Sequence, residues 1–222
     1  MADDTQRGGH LSDVLSSRGL AGKRDYVRSL EQRRDAEALS LLVECLCDES
    51  WYLRELAEAA LLKLGERSGP ALVPLLGQGL WFSRASAARV LGQLGYRPAA
   101  GALVRLTLDR AETVAREAFL ALAALALRGG AARLAWEVYR LAPERRPDWI
   151  ARMRATDRVV AQRLERLLAI EALMSQADPD VLRDDAPLVR ANEEGVEWDL
   201  PSGPPPVRPS SAAPESVEVS RR

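Results

Sequence analysis

Few side chains in this sequence could do covalent chemistry, and their positions argue against an active site. The single histidine, His10, lies in a polar stretch without a neighbouring base, nucleophile or metal ligand. The two cysteines, Cys45 and Cys47, would point about 200° apart on a helix, so they cannot bridge each other there. No second cysteine pair accompanies them. We expect reduced thiols in the core or on the surface of a cytoplasmic protein.

Enzyme motifs are absent as well. The 222-residue sequence has no GxSxG, P-loop, dinucleotide-binding fingerprint, HExxH or CxxC. The adjacent acids Asp184 and Asp185 fall in a segment where nothing would hold them at a catalytic separation. We therefore predict that the protein is not an enzyme, and that it has no cofactor and no metal.

Polar residues spaced along helices suit recognition of another macromolecule. Arg133, Glu137 and Arg140 stand at i, i+4 and i+7, which places them on one stripe of a helix. If Leu103 and Leu106 face the core, Arg105 and Asp109 on the same helical stretch should turn outward. The alternative is that such residues form solvated helix faces with internal Glu–Arg pairs. The residues that we predict to contact a partner are Glu44, Gln78, Arg105, Arg133, Glu137, Arg140 and Trp198.

The tryptophans divide into three groups. Trp51 and Trp81 lie 30 residues apart, each followed one turn later by an arginine. This equal spacing favours a structural wedge between neighbouring units over a platform for ligands. Trp136 and Trp149 are predicted to be core or cap residues. Trp198 stands in the acidic segment 193–200, Glu-Glu-Gly-Val-Glu-Trp-Asp-Leu, which we interpret as a docking element for a partner or for the basic part of the same chain.

A repeat with a period near 30 sets the positions of most of these residues. Segment 51–65 matches segment 81–95 at a constant offset of 30, with a Trp, an Arg, an Ala, two Leu and a Gly in common. A third copy at an offset of 31 covers 118–126. Two apolar helical runs in each period indicate helical hairpins that stack into an α-solenoid, because one hairpin cannot bury its apolar face alone.

Small residues and prolines mark the ends of the predicted helices. Asp35 is expected to cap an early helix, and Pro70 and Pro98 to begin second helices, where a missing N–H costs little. Pro74 falls inside a predicted helix and should kink it. The predicted ends of the first helices are Gly65, Gly95 and Ala126, with Gly129 and Gly130 turning the third copy.

The chain divides into three predicted parts. Residues 1–20 form a flexible amino terminus, and residues 21–176 form the solenoid, with its first helix starting near Arg24. Its last two helices, within 144–176, cap the open end of the stack. Residues 177–222 form an acidic, proline-rich, disordered tail.

Composition and charge limit the possible classes of protein. Only 5% of the residues are aromatic, so the core must consist mainly of Leu, Val and Ala. The longest apolar run, 118–127, is half of the roughly 20 residues that a membrane span needs, so we predict no membrane association.

The net charge is +5 over 51–142, +3 over 143–170 and −6 over 171–222. This positive charge is less dense than the basic stripe of a dedicated duplex binder. Arginine outnumbers lysine 29 to 2, which is typical of a GC-rich bacterial genome.

The repeats resemble HEAT repeats, in the short bacterial form also found in lyase-associated repeat proteins. The resemblance rests on the pattern Ala-x3-Leu-x2-Leu-Gly at 57–65 and its copies at 87–95 and 118–126. It covers 36–142 well and the flanking helices loosely. It implies an all-α, right-handed solenoid whose second helices line a concave surface where partners bind. Members are mostly scaffolds and adaptors, although relatives attach bilin chromophores or excise alkylated purines from DNA.

The resulting expectation is a non-enzymatic adaptor that binds a protein partner through its concave face. One alternative is nucleic-acid binding, in which arginines of 105–166 contact phosphates. The other is an accessory subunit that resembles bilin lyases. No residue set of either specialised group is matched in this sequence.

Overall fold

The computed structural model describes residues 19–33 and 35–170, and within these ranges every regular element is helical, with no strand. This confirms the predicted all-α class. The predicted tail, Trp198 and His10 lie outside the described residues. The helices are α1 (Gly19–Arg33), α2 (Ala36–Leu46), α3 (Trp51–Leu64), α4 (Gly69–Leu72), α5 (Trp81–Leu94), α6 (Ala100–Leu106), α7 (Glu112–Leu125), α8 (Ala131–Tyr139), α9 (Arg146–Thr156) and α10 (Arg158–Ala169).

Most of the predicted helix ends are found where the local chemistry puts them. The carboxylate of Asp35 accepts the backbone N–H of Ala38 at 2.7 Å and caps α2. Gly95 follows α5 with a φ of +66°, a left-handed conformation that costs glycine little. α7 ends at Leu125 with Ala126 at its C-cap, as predicted, but helical angles continue past Ala126 and the chain turns only at Gly129, with a φ of +84°. Likewise, α1 starts at Gly19 and not near Arg24.

The prolines act at helix starts and at one break. Pro70 lies in the first turn of α4, and Pro98 lies in the 3-10 turn Arg97–Ala99 directly before α6. α4 ends at Leu72, and the chain tightens into a second 3-10 turn, Val73–Leu76, at Pro74. Proline lacks the N–H for the helical ladder and crowds the preceding turn, so the expected kink becomes a change of helix type.

The helices form two rows, each made of every second element along the chain. In the first row α1 contacts α3, α3 contacts α5, α5 contacts α7, and α7 contacts α9. In the second row α2 contacts α4, the turn Val73–Leu76 contacts α6, α6 contacts α8, and α8 contacts α10. Leucines from both rows meet in one core. Fully buried examples are Leu42, Leu53, Leu61, Leu72, Leu91, Leu103, Leu122 and Leu134.

A close contact between neighbouring helices joins α5 to α7. A Cβ atom built on Gly92 would lie 2.4 Å from the Cα of Ala121 and 2.7 Å from its Cβ. The two helices therefore meet backbone to backbone, a separation that only a residue without a side chain permits. Small residues at this contact let the helices pack closely in a sequence that has few large aromatic side chains to fill a wider gap.

Ion pairs connect the first-row helices across their outer surface. Lys63 of α3 binds Glu31 of α1, with 2.9 Å between Nζ and Oε1. Arg89 of α5 binds Glu58 of α3 at 2.9 Å and Glu117 of α7 at 3.3 Å. Burial opposes the charge of Arg89, but its hydrogen bonds and the two carboxylates raise its pKa. Each partly exposed pair contributes about 0–1 kcal/mol, so the network orients the helices more than it stabilises them.

The last two described helices pack against α7 and α8. Trp149 of α9 is buried, and its ring lies 5.2 Å from that of Phe119 on α7. Its indole N–H donates to the buried hydroxyl of Thr107 at 3.0 Å. The carboxylate of Asp157 caps α10 by accepting two backbone N–H groups. The predicted core or cap role of Trp149 is thus confirmed, while residues 171–176 of the predicted last helix lie outside the described ranges.

One helical stretch, Glu112–Tyr139, is long and apolar enough to cross a membrane by length and composition. It joins α7 and α8 through the turn Ala126–Gly130, and it exceeds the apolar run considered above. However, 72% of its apolar window is buried inside the protein, and the backbone leaves helical geometry at Arg128 and Gly129. Because a buried core helix passes the same test, the stretch is weak evidence for a membrane span.

The contact at Gly92 predicts a strong effect of a single methyl group. Gly92→Ala should lower the free energy of unfolding by about 1–2 kcal/mol, because overpacking against the backbone of Ala121 outweighs the better helix propensity of alanine. Urea denaturation of the two proteins measures the difference. Gly77→Ala is the matched control, since its added Cβ would meet only the carbonyl oxygen of Pro74, at 3.9 Å. Equal stability of both variants would contradict the backbone contact.

Candidate binding groove

The turns before the first-row helices share one local design. The carboxylate of Asp48 accepts the backbone N–H of Ser50 at 2.7 Å, and that of Asp109 accepts the N–H of Ala111 at 2.9 Å. Such bonds, made two residues onward, fix a turn without help from the rest of the fold. The middle repeat has Gln78 at the corresponding position, where its side chain is exposed.

Arg54 and Arg84, which occupy corresponding positions of two repeats, hold these turns in place. Arg84 binds Asp109 with two parallel bonds, of 2.8 and 2.9 Å, and donates a third to the carbonyl of Gly79 at 2.7 Å. The guanidinium of Arg84 and the N–H of Ala111 hold the pKa of Asp109 below its usual range, although burial opposes this shift. The expectation that Asp109 turns outward is wrong, since only 11% of its side chain is exposed.

Leu108 is held at the surface between two anchored neighbours. Thr107 before it is buried and receives the indole N–H of Trp149, and Asp109 after it is paired with Arg84. Leu108 itself is 56% exposed. Because both flanking residues are fixed, the leucine cannot turn inward without breaking one of these contacts. The turn therefore presents an apolar side chain to solvent in a defined position.

A depression of about 480 Å³ lies on one side of Leu108, between the turn Val73–Leu76 and α6. Val73, Leu76 and Leu106 give it apolar walls, and Gln78 and Arg105 supply polar groups. A smaller depression of about 180 Å³ lies on the other side of the leucine. Its lining residues are Leu108, Leu141, Arg145, Asp148, Trp149 and Arg152. We call the two depressions together the Leu108 groove.

The groove brings together two of the predicted partner-binding residues. Gln78 and Arg105 both line the larger depression and are exposed, as the leucine pattern predicted. Glu44 on α2 and Arg140 at the end of α8 are exposed but line neither depression. Trp198 lies outside the described residues. The groove thus contains two of the seven predicted residues, and the partner-binding role of all seven stays a prediction.

Arg133 and Glu137 follow the alternative interpretation of an internal pair. Their side chains lie 3.0 Å apart and are largely covered. A Cβ built on Gly101 of α6 would lie 2.8 Å from a carboxylate oxygen of Glu137, so this acid packs against the neighbouring helix. The guanidinium groups of Arg133 and Arg140 lie 5.1 and 4.6 Å from the ring centre of Trp136. Arg133 and Glu137 thus pack within the protein, while Arg140 stays exposed beside the ring of Trp136.

The wedge interpretation of Trp51 and Trp81 is wrong. Their side chains are 68% and 52% exposed, because each is the first residue of its helix, beyond the contact with the neighbouring unit. The contact between units is made by Arg54, whose guanidinium lies 4.4 Å from the ring centre of Phe82. The equal spacing of the tryptophans thus follows from the repeat and not from burial.

The thiols and acids of the described residues do not form a reactive cluster. Cys45 and Cys47 are both free, the first buried and the second exposed, as the sequence predicted. Burial raises the pKa of the Cys45 thiol to about 12, so this thiol stays protonated near neutral pH. In residues 19–33 and 35–170, no three His, Cys, Asp or Glu side chains are placed to hold a metal ion.

Comparison of the sequence with models of protein families and with curated proteins finds no match. The similarity to HEAT repeats therefore stays a prediction from the residue pattern. Because a helical-repeat architecture serves many activities, the function must be argued from the surface that this chain presents.

The Arg84–Asp109 pair predicts a pH-dependent stability. Asp109 has a lowered pKa in the folded state, so its contribution is present above its unfolded pKa of about 3.9 and is lost as pH falls through the folded value. Asp109→Asn should cost about 1–2 kcal/mol of unfolding free energy at pH 7. The difference from the parent protein should shrink below about pH 4. Urea titrations at both pH values test this, with the exposed Glu55→Gln as control. A pH-independent loss would contradict the ion-pair explanation.

Proposed function

We propose that this protein is a non-enzymatic adaptor, a right-handed α-solenoid of HEAT-type hairpins that binds a protein partner through its second-row helices. The two rows of successive helices support a stacked architecture. In this proposal the second row forms the concave face. The Leu108 groove lies at its edge, with the turn Val73–Leu76 and α6 on one side and α9 of the first row on the other. The protein acts in the cytoplasm of a bacterium, without a cofactor.

The observation that carries this proposal is the exposed, anchored Leu108 between two depressions. A single exposed leucine is ordinary, but Leu108 is fixed between two depressions with apolar walls, and together they offer a ready-made contact for a partner. The surrounding polar groups are few, as is usual in sites where apolar contact supplies affinity and polar contacts fix orientation. A short segment with apolar side chains and at least one carboxylate fits this chemistry.

The arginines of 105–166 favour a protein partner over a nucleic acid. Several of them are already engaged: Arg146 donates to the carbonyls of Tyr139 and Leu141, and Arg154 pairs with Glu165. Arg152 stacks on the ring of Phe119 at 4.7 Å. A nucleic-acid backbone requires a row of cations free to contact phosphates. Here the chain uses much of its positive charge to hold its own helices.

Introducing negative charge into the groove tests the proposal. Leu108→Asp and Arg105→Glu should each lower the recovery of the specific protein partner at least about tenfold, the effect of losing about 1.4 kcal/mol of binding energy. The measurement is quantitative mass spectrometry of proteins captured from bacterial extract. Arg110→Glu is the matched control, because Arg110 is exposed close by in sequence but lines neither depression.

Two further measurements separate the alternative functions. Binding of mixed-sequence DNA that falls linearly and steeply with the logarithm of salt concentration would favour the nucleic-acid function. New visible absorbance after mixing with a bilin would favour the accessory-subunit function. Equal partner recovery by Leu108→Asp and by the control would contradict the role of the groove.

A further inference from the structure

The Leu108 groove carries an excess of positive charge. Arg105 lines the larger depression, and Arg145 and Arg152 line the smaller one. The carboxylate of Asp109 is neutralised by its arginine partner, which leaves Asp148 as the other acid of the lining. An occupant of this groove should therefore combine apolar side chains with a surplus of carboxylates.

Segment 193–200 of the same chain has this combination in a regular order. Val196, Trp198 and Leu200 alternate with Glu197 and Asp199. In an extended chain, alternate residues point to opposite sides, so such a segment presents one apolar side and one acidic side. Two more acids, at positions 193 and 194, precede the apolar residues. The apolar side suits contact with Leu108, and the acids suit the arginines at the edges.

The dimensions of groove and chain are compatible with this contact. The smaller depression holds about 180 Å³, and a cavity of about 150 Å³ is enough to bind a benzene ring. α10 lies two neighbouring helices away from α6, a distance of about 20 Å at the usual spacing. Residues 171–195 connect the end of α10 to the segment, and 25 residues can reach at most about 80–90 Å, so the segment can reach the groove.

We propose that segment 193–200 binds in the Leu108 groove of its own chain, with Trp198 as its apolar anchor, and so competes with the external partner. This inference uses the groove assigned above, but it does not require the partner to be known. The tether holds the segment at an effective concentration in the millimolar range, so even a weak contact is populated. A partner must then displace the segment or bind when the contact is weakened.

Site-specific photocrosslinking in the full-length chain tests the contact directly. The photoreactive residue p-benzoylphenylalanine replaces Trp198, which keeps an aromatic side chain at this position. After irradiation, mass spectrometry should find crosslinks to residues 73–78, 102–109 or 141–152, in protein that migrates as a monomer. The same photoreactive residue in place of Val217, which also stands beside a glutamate, is the matched control and should not give these crosslinks.

Groove variants and salt complete the test. Combining the photoreactive residue with Leu108→Asp or with Arg105→Glu should lower the yield roughly tenfold, the change produced by about 1.4 kcal/mol. At 1 M salt the Debye length falls from about 8 to 3 Å, and the yield should fall as well. Circular dichroism verifies that each variant is folded. Crosslinks to other surfaces, crosslinks only between two copies, or a yield unchanged by both variants would overturn the proposal. Because this readout needs no partner, its failure leaves the capture experiment above unaffected.

Discussion

The backbone contact between α5 and α7 at Gly92 is the constraint on which the rest of the structure depends. With few aromatic residues, the chain cannot fill wide gaps between helices, so its core is built from leucines and alanines at short helix separations. Gly92 and Ala121 bring the two helices together closely enough for leucine and alanine side chains to fill the core between them. The same approach brings the turn before α7 close to the start of α5, where Arg84 reaches Asp109 across it.

The groove is a consequence of how that turn is fastened. Thr107 is tied to α9 through Trp149, and Asp109 is tied to α5 through Arg84. Leu108 lies between these two fixed residues and stays exposed. The contacts that join the helices therefore also fix the turn that carries the exposed leucine of the proposed site. A pre-formed site of this kind avoids the cost of ordering a loop during binding.

The periodic features of the sequence predict the all-α class and most of the helices, whereas local exceptions to the period could not be derived from it. The helix pairs, the cap at Asp35 and the break at Pro74 each depend on neighbours in sequence, and they were predicted correctly. Gln78 and Arg105 were placed correctly by the leucine pattern. Leu108 was missed, because its exposure depends on Trp149, 41 residues later, although an apolar residue inside a turn was a usable signal.

Charged side chains are paired between helices of the first row, whereas charged side chains around the groove are exposed. On the first row, lysine and arginine meet carboxylates of adjacent helices, so Lys63 and Arg89 are satisfied within the molecule. Around the groove, Arg105 of α6 and Arg145 in the turn before α9 face solvent. A charge that is already paired gives a ligand little, because binding would only exchange one partner for another. Recognition of a carboxylate therefore has more to gain at the groove than at the outer surface of the first row. The sign of the charge there makes an acidic segment, from this chain or from another, the ligand that gains most.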